Sequence, residues 1–278
     1  MSASSREGRS AAPAEPYFGG GAAHYDRSRP AYPAALIERI IAAMPGRDVL
    51  DVGCGSGIEA RQFQAGGCTV LGVDPDAAMA EYACGTGVPV DVARFETWDA
   101  AGRTFDAVVA GTAWHWVDPV AGTAKAAEVL RPGGLFAPFH HASLTPPELA
   151  DAADSALPGW TTRSANAYRR VAPYSPFDPN GRRRSPMDLY QPLFDRIADE
   201  IRRTNGFGEP VLWRFDWERT YSRDEWLNLL PTQGTLATLP PPALAAVLDA
   251  VGNAIDRMGG SFSLPYATVA VTAMRAVE

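Results

Sequence analysis

Ten consecutive residues, Asp48-Val49-Leu50-Asp51-Val52-Gly53-Cys54-Gly55-Ser56-Gly57, concentrate the chemistry of the amino-terminal half. The apolar residues around Asp51 read as a buried strand, and the three glycines as a tight turn into a helix opening at Ile58. Glycine lets a backbone approach a ligand that a Cβ would push away. A carboxylate two places before the first glycine repels phosphate, so a cationic or hydroxyl-bearing ligand suits the turn better than a pyrophosphate. The next apolar run, Thr69-Val70-Leu71-Gly72-Val73, ends in Asp74, which can accept from both hydroxyls of a ribose.

Further along, Phe105-Asp106-Ala107-Val108-Val109 reads as a buried strand and leads to Trp114-His115-Trp116. Ligands bind at strand ends in open α/β sheets, and aromatic faces attract cations once water is excluded. Leu130-Arg131-Pro132-Gly133-Gly134 turns into an expected fifth strand, Leu135–Phe139, with His140 and His141 at its end. His115 is the strongest candidate for a general base, because imidazole titrates near neutrality and this one follows a strand. A wall residue is its simpler alternative, and His140, His141 and His24 are weaker candidates. Before the first strand, Tyr25, Arg29 and Tyr32 interleave aromatic and cationic groups ahead of an amphipathic helix over 34–44.

In order and spacing, these elements resemble the class I methyltransferases that use S-adenosylmethionine (SAM), small-molecule type, over about residues 17–140. The resemblance implies an α/β, Rossmann-like, doubly wound sheet of seven strands, mostly parallel, with a reversed last strand, an N-terminal helical cap and an insertion between strands five and six. It implies SAM as cofactor, with S-adenosylhomocysteine as product. Cofactor contacts would come from Tyr25, Arg29, Asp51, Gly53, Cys54, Gly55, Asp74, Pro75, Phe95, Glu96 and Ala110. Substrate contacts would come from Trp114, His115, Trp116, His140, Trp160 and Tyr168. Arg29 suits either the methionyl carboxylate or an acidic substrate. The implied reaction moves a methyl group to a small-molecule acceptor, oxygen slightly ahead of nitrogen or carbon. A SAM-fold binding or regulatory protein is the first alternative. A nicotinamide oxidoreductase fits poorly, since Asp51 and the Gly-x-Gly-x-Gly spacing depart from its fingerprint.

Composition narrows the classes. The chain has 278 residues, 46% of them hydrophobic, and a net charge of −7. That balance disfavours nucleic acid as a partner, since tracking phosphates needs a basic face. The one basic concentration, Arg182-Arg183-Arg184 with Arg169 and Arg170, reads as a solvated loop, with an acidic-substrate clamp as its alternative. Cys54, Cys68 and Cys84 lack metal-ligand or disulfide spacing, so no metal is expected and a reducing, cytoplasmic setting is. No apolar run reaches the roughly 20 residues of a membrane span. The partner expected is a small molecule, and a homodimer is one compatible assembly. The reading divides the chain into a disordered leader (1–16), a cap and SAM-binding half (17–140), an insertion or substrate lid (141–210) with one helix near 187–204, and a C-terminal part of the same domain (211–278). Val211–Thr220 and Phe262–Arg275 read as closing strands, with helices over 223–230 and 242–258 between them.

Overall fold

The computed structural model describes residues 21–159, 185–234 and 236–277. The expected leader over 1–16, the arginine concentration, and Trp160 and Tyr168 lie outside the described residues.

Helices α1 (Ala22–Ser28) and α2 (Ala34–Ala43) precede β1 (Asp48–Val52). The chain then alternates through α3 (Ile58–Ala65), β2 (Thr69–Asp74), α4 (Ala77–Gly85), β3 (Val90–Val92), β4 (Phe105–Gly111), α5 (Pro119–Val129) and β5 (Leu130–Ala142). Helices α6 (Pro147–Ala156) and α7 (Pro186–Arg203) follow. A long hairpin of β6 (Val211–Ser222) and β7 (Ser261–Met274) then encloses α8 (Arg223–Leu229) and α9 (Pro241–Arg257). The seven strands form one sheet in the order β3-β2-β1-β4-β5-β7-β6. Strand β7 runs antiparallel to both of its neighbours, and the β1–β5 ladders are parallel. This is the Rossmann-like sheet with a reversed last strand.

Pleating decides which side chains meet which helices, because successive residues point to opposite faces. Leu50, Val108, Phe136 and Val271 face one layer, formed by α5 and the apolar stripe Leu189, Leu193, Phe194, Ile197 and Ile201 of α7. Val49, Ala107, Val109, Leu135 and Ala137 face the other, against Leu36, Ile37 and Ile40 of α2 and Phe63 of α3. With both faces covered, the central strands are apolar along most of their length. Helix α7 opens with a reciprocal cap: Ser185 Oγ accepts from Asp188 N at 3.1 Å, and Asp188 accepts from Ser185 N.

Three features differ from the sequence expectation. Strand β5 is longer than 135–139: it pairs from Leu130 to Ala142, with a register shift opposite Phe105–Ala107 that absorbs the glycine turn. Helix α6 lies in the insertion for which a single helix near 187–204 was expected, and it opens at Pro147 in the first turn, where a proline's missing N–H costs nothing. Past the sheet edge, α6, α8 and α9 share a core with Tyr221, Phe262, Leu264 and Tyr266 of the hairpin. The helical body over the strand ends therefore draws on 223–257 as well as on 141–159.

Candidate active site

A cavity of about 200 Å³ opens at the carboxyl ends of β1, β4 and β5. Its floor is the glycine turn. Gly53 and Gly55 hold φ at +69° and +53°, a region side chains rarely adopt. They differ in surroundings. A Cβ on Gly53 would stand 2.6 Å from Ala113 Cβ, whereas one on Gly55 would meet nothing within 4 Å. The space above Gly55 is a cradle; that above Gly53 is already filled by protein.

Behind the turn lies a buried acidic pair. Asp51 is wholly buried in β1, and neither of its carboxylate oxygens has a hydrogen-bond partner among the described residues. Burial, then Glu59, then Asp74, hold its carboxyl well above the usual carboxylate range. Glu59 stands in the first turn of α3, lines the cavity and accepts from Gly111 N at 3.2 Å. Burial pushes its carboxyl up to about 8, against the pull of two backbone N–H groups. Two buried acids side by side, one of them with both oxygens unpartnered, are a place for a ligand that brings positive charge.

Asp74 ends β2. Its Oδ2 accepts from Gly55 N and its Oδ1 from Asp76 N, each at 2.8 Å, so the carboxylate is locked beside the glycine turn with lone pairs to spare. Burial nonetheless raises its pKa.

The other end of the cavity is aromatic and histidine-rich. His115 and Trp116 come from a 3-10 turn after β4, His140 and His141 from the end of β5, and Tyr190 from α7. The His115 ring lies 5.5 Å from that of His140, which lies 5.2 Å from Tyr190. On the opposite face Tyr32 stacks on His141 at 4.4 Å. Burial pushes His140 down to about 4 and His141 down to about 3. Thr112, which leads out of β4, holds φ at +54°, costly for a β-branched residue. Two bonds keep it there: Thr112 N donates to Phe139 O at 2.7 Å, and Tyr32 Oη donates to Thr112 Oγ1 at 3.0 Å.

Helix α1 covers the cavity. Tyr25 and Arg29 line it, with the guanidinium 4.8 Å from the Tyr25 ring. Arg29 donates to Thr232 O, while its Nε is buried without a partner among the described residues. The helix is tied to both halves of the chain: Asp26 accepts from Arg61 and from Tyr82 Oη, and His24 Nε2 lies 2.8 Å from Asn228 O.

Of the residues expected at the site, Tyr25, Arg29, Gly53, Cys54, Gly55, His115, Trp116 and His140 line this cavity. Others stand elsewhere. Trp114, expected beside the substrate, is a core residue, its ring 4.8 Å from Phe136 and 6.1 Å from Phe95. Phe95 is buried in the same cluster. Both rings are too large and apolar to leave the packed layer under β4. Glu96 is occupied by Asp118 N at 2.9 Å and by Arg94. Ala110 is buried in the core, and Pro75 is exposed at the start of the turn into α4. Glu59, Thr112, Tyr190 and Tyr266 line the cavity and stand outside every motif of the sequence. For Glu59 the one available signal is an acid in the first turn of the helix behind a glycine turn.

The donor set fits a sulfonium cofactor on the structure's own terms. It offers a cradle above Gly55, orphaned acid oxygens at Asp51, a locked carboxylate at Asp74 and an unsatisfied guanidinium N–H at Arg29.

Comparison with known proteins gives the same answer. Residues 50–137 match the family described as Methyltransferase domain. An uncharacterised methyltransferase of Mycobacterium tuberculosis is 37% identical over 120 residues, which is 42% of this chain and 49% of the relative. A ubiquinone biosynthesis O-methyltransferase of Rhizobium etli is 28% identical over 176 residues, covering 60% of this chain and 66% of the relative. The chain thus spans about half the length of the first of these relatives. A solved methyltransferase structure from Anaeromyxobacter dehalogenans superposes with a TM-score of 0.58 at 22% identity, over 90% of this chain and 99% of that one. Residues 50–137 thus carry a match to a methyltransferase domain, and the glycine turn and the sheet order with its reversed last strand are those of the class I, Rossmann-like methyltransferase fold.

Proposed function

We propose that the chain transfers a methyl group from SAM to a small-molecule acceptor, with oxygen favoured over nitrogen or carbon. The observation that carries this reading is one cavity with the glycine turn, Glu59 and Arg29 at one end and His115, His140 and Tyr190 at the other. When bound, SAM supplies a methyl group already activated by positive sulfur. The protein's work is then to align the acceptor and exclude water.

In this reading the Asp74 carboxylate holds the ribose hydroxyls and the Gly53–Gly55 turn lies under the methionyl part. Arg29 pairs with the carboxylate of that part, and Asp51 and Glu59 face its ammonium. The aromatic and histidine end receives the acceptor. A cavity enclosed by α1, α7 and the 229–234 turn favours a small acceptor over a polymer, and the net charge of −7 opposes nucleic acid. The O-methyltransferase from Rhizobium etli gives oxygen its edge. No helix of the described residues is long and apolar enough to cross a membrane.

Incubation with SAM bearing an isotope-labelled methyl group and a small-molecule extract tests the proposal by mass spectrometry. Label is expected in a small molecule, with stoichiometric S-adenosylhomocysteine. Label confined to protein or nucleic acid would contradict it.

A further inference from the structure

His140 and His141 are neighbours on β5, so the pleat sends their rings to opposite faces, yet both line the cavity. Their protons are placed by their partners. His140 Nδ1 lies 2.7 Å from the His141 carbonyl oxygen. A carbonyl can only accept, so Nδ1 carries the hydrogen, and in the neutral ring Nε2 is the bare nitrogen. At His141 the assignment is reversed. Thr268 Oγ1 accepts Trp217 Nε1–H at 2.8 Å and lies 2.9 Å from His141 Nδ1. With the Thr268 hydroxyl donating its proton to that nitrogen, His141 carries its own hydrogen on Nε2. This N–H is buried without a partner among the described residues. The end of β5 therefore presents one proton acceptor and one proton donor, each fixed by the sheet.

We infer that His140, through Nε2, takes the proton of the methyl acceptor, and that the acceptor is accordingly an alcohol or phenol rather than a carboxylate or an amine. This rests on the methyltransferase reading above. As the hydroxyl oxygen's lone pair closes on the methyl carbon, the methyl–sulfur electron pair returns to sulfur. His140 Nε2 takes the hydroxyl proton, and the imidazolium keeps its Nδ1–H on the His141 carbonyl. Solvent receives the proton after product leaves.

The surroundings suit a ring that must be neutral before reaction. Burial lowers the His140 pKa to about 4, the His141 carbonyl opposes that shift, and Arg29 adds to it. The groups facing the ring are His115 on the turn after β4, Tyr190 on α7, Arg29 behind α1 and His141 on β5 itself. Among these Arg29 is the permanent cation. A carboxylate paired with it would raise the basicity of His140 once the site is loaded. His115, on a short 3-10 turn against Trp116, then serves as a wall.

The test uses the full chain saturated with S-adenosylhomocysteine, binding being checked first by calorimetry. If the wild-type chain does not bind it, the methyltransferase reading fails before this inference is reached. With binding established, nitrogen NMR of labelled histidine should find His140 Nε2 unprotonated and Nδ1 protonated from about pH 6 to 8. A proton on Nε2 over that range overturns the inference without any substrate. His140→Asn keeps an N–H toward the His141 carbonyl but has no nitrogen where Nε2 stands. It should bind S-adenosylhomocysteine like the wild type. With the hydroxyl acceptor found by the labelled-methyl screen, it should lose about 10²–10⁴-fold in turnover. The lost rate should return as pH approaches the acceptor's own ionisation, while His115→Asn keeps the wild-type pH profile. A His140→Asn rate within about threefold of wild type contradicts the inference. So does an acceptor methylated on a carboxylate or amine.

Discussion

At the scale of single residues, Gly53 and Gly55 carry the same motif role and different physics. Gly53 sits against Ala113, so a side chain there disturbs the fold itself. Gly55 faces open space, so a side chain there bears only the cost of a positive φ in the free protein but occupies ground the ligand needs. Gly53→Ala should lower the melting temperature of the free chain more than Gly55→Ala does. Gly55→Val should abolish the thermal shift produced by S-adenosylhomocysteine. A full shift in Gly55→Val would remove the turn from the binding site. Glu59 makes a second residue-scale prediction, on pH. Its carboxyl titrates near 8 in the folded chain and, from an ordinary value of 4.5, far lower once unfolded. The unfolded chain therefore sheds a proton that the folded chain retains, and this contribution to stability falls as pH rises from about 4.5 to about 8. Asp51 is shifted in the same direction. Glu59→Gln removes Glu59's share. Urea unfolding without ligand should show the variant gaining on the wild type between about pH 5 and about pH 8. A gap that stays constant with pH would show that Glu59 is ionised in the fold.

At the scale of elements, the strands were legible and the details of their ends were not. Strands β1, β2 and β4 announce themselves as short apolar runs closed by Asp or Gly, because a strand covered on both faces needs apolar residues throughout. The length of β5 was not readable. Its Leu130–Gly134 segment carries Pro and two glycines, normally breakers, and pairs through a register shift that only the neighbouring strand reveals. Trp114 misled for a related reason: a Trp-His-Trp triplet says where the turn is, not which ring faces inward. Packing against Phe136 claims Trp114 and leaves His115 and Trp116 at the cavity. The cap was legible as a segment rich in aromatics and arginines, but its anchorage was not, since Arg61, Tyr82 and Asn228 are distant in sequence. The bonds that hold α1 are side-chain bonds to elements distant in sequence, and it covers the site, so it should open without ligand. Hydrogen exchange over about residues 22–32 should slow on adding S-adenosylhomocysteine. Equal protection in both states would make the helix a fixed wall.

At the scale of the molecule, the sheet carries the glycine turn and the long hairpin adds to the cavity wall. The β6–β7 ladder runs from Val211 opposite Thr272 to Ser222 opposite Ser261, carrying α8 and α9 past the strand ends to meet α6. Tyr266 and the turn from Leu229 to Gly234 reach the cavity from this body. The cavity wall is thus shared between elements far apart in sequence, which is why the glycine turn was legible as a motif while Tyr190 and Tyr266 were not. The account's central claim is that this cavity and the adjoining Asp74 bind the adenosyl cofactor. Calorimetric titration of S-adenosylhomocysteine into the wild-type chain and Asp74→Ala addresses it most directly. The account predicts a single site, weakened in the variant by ~1.5–3 kcal/mol for the loss of a charged hydrogen-bond acceptor in a buried position. Equal affinity in the two proteins, or no binding to the wild type, would contradict it.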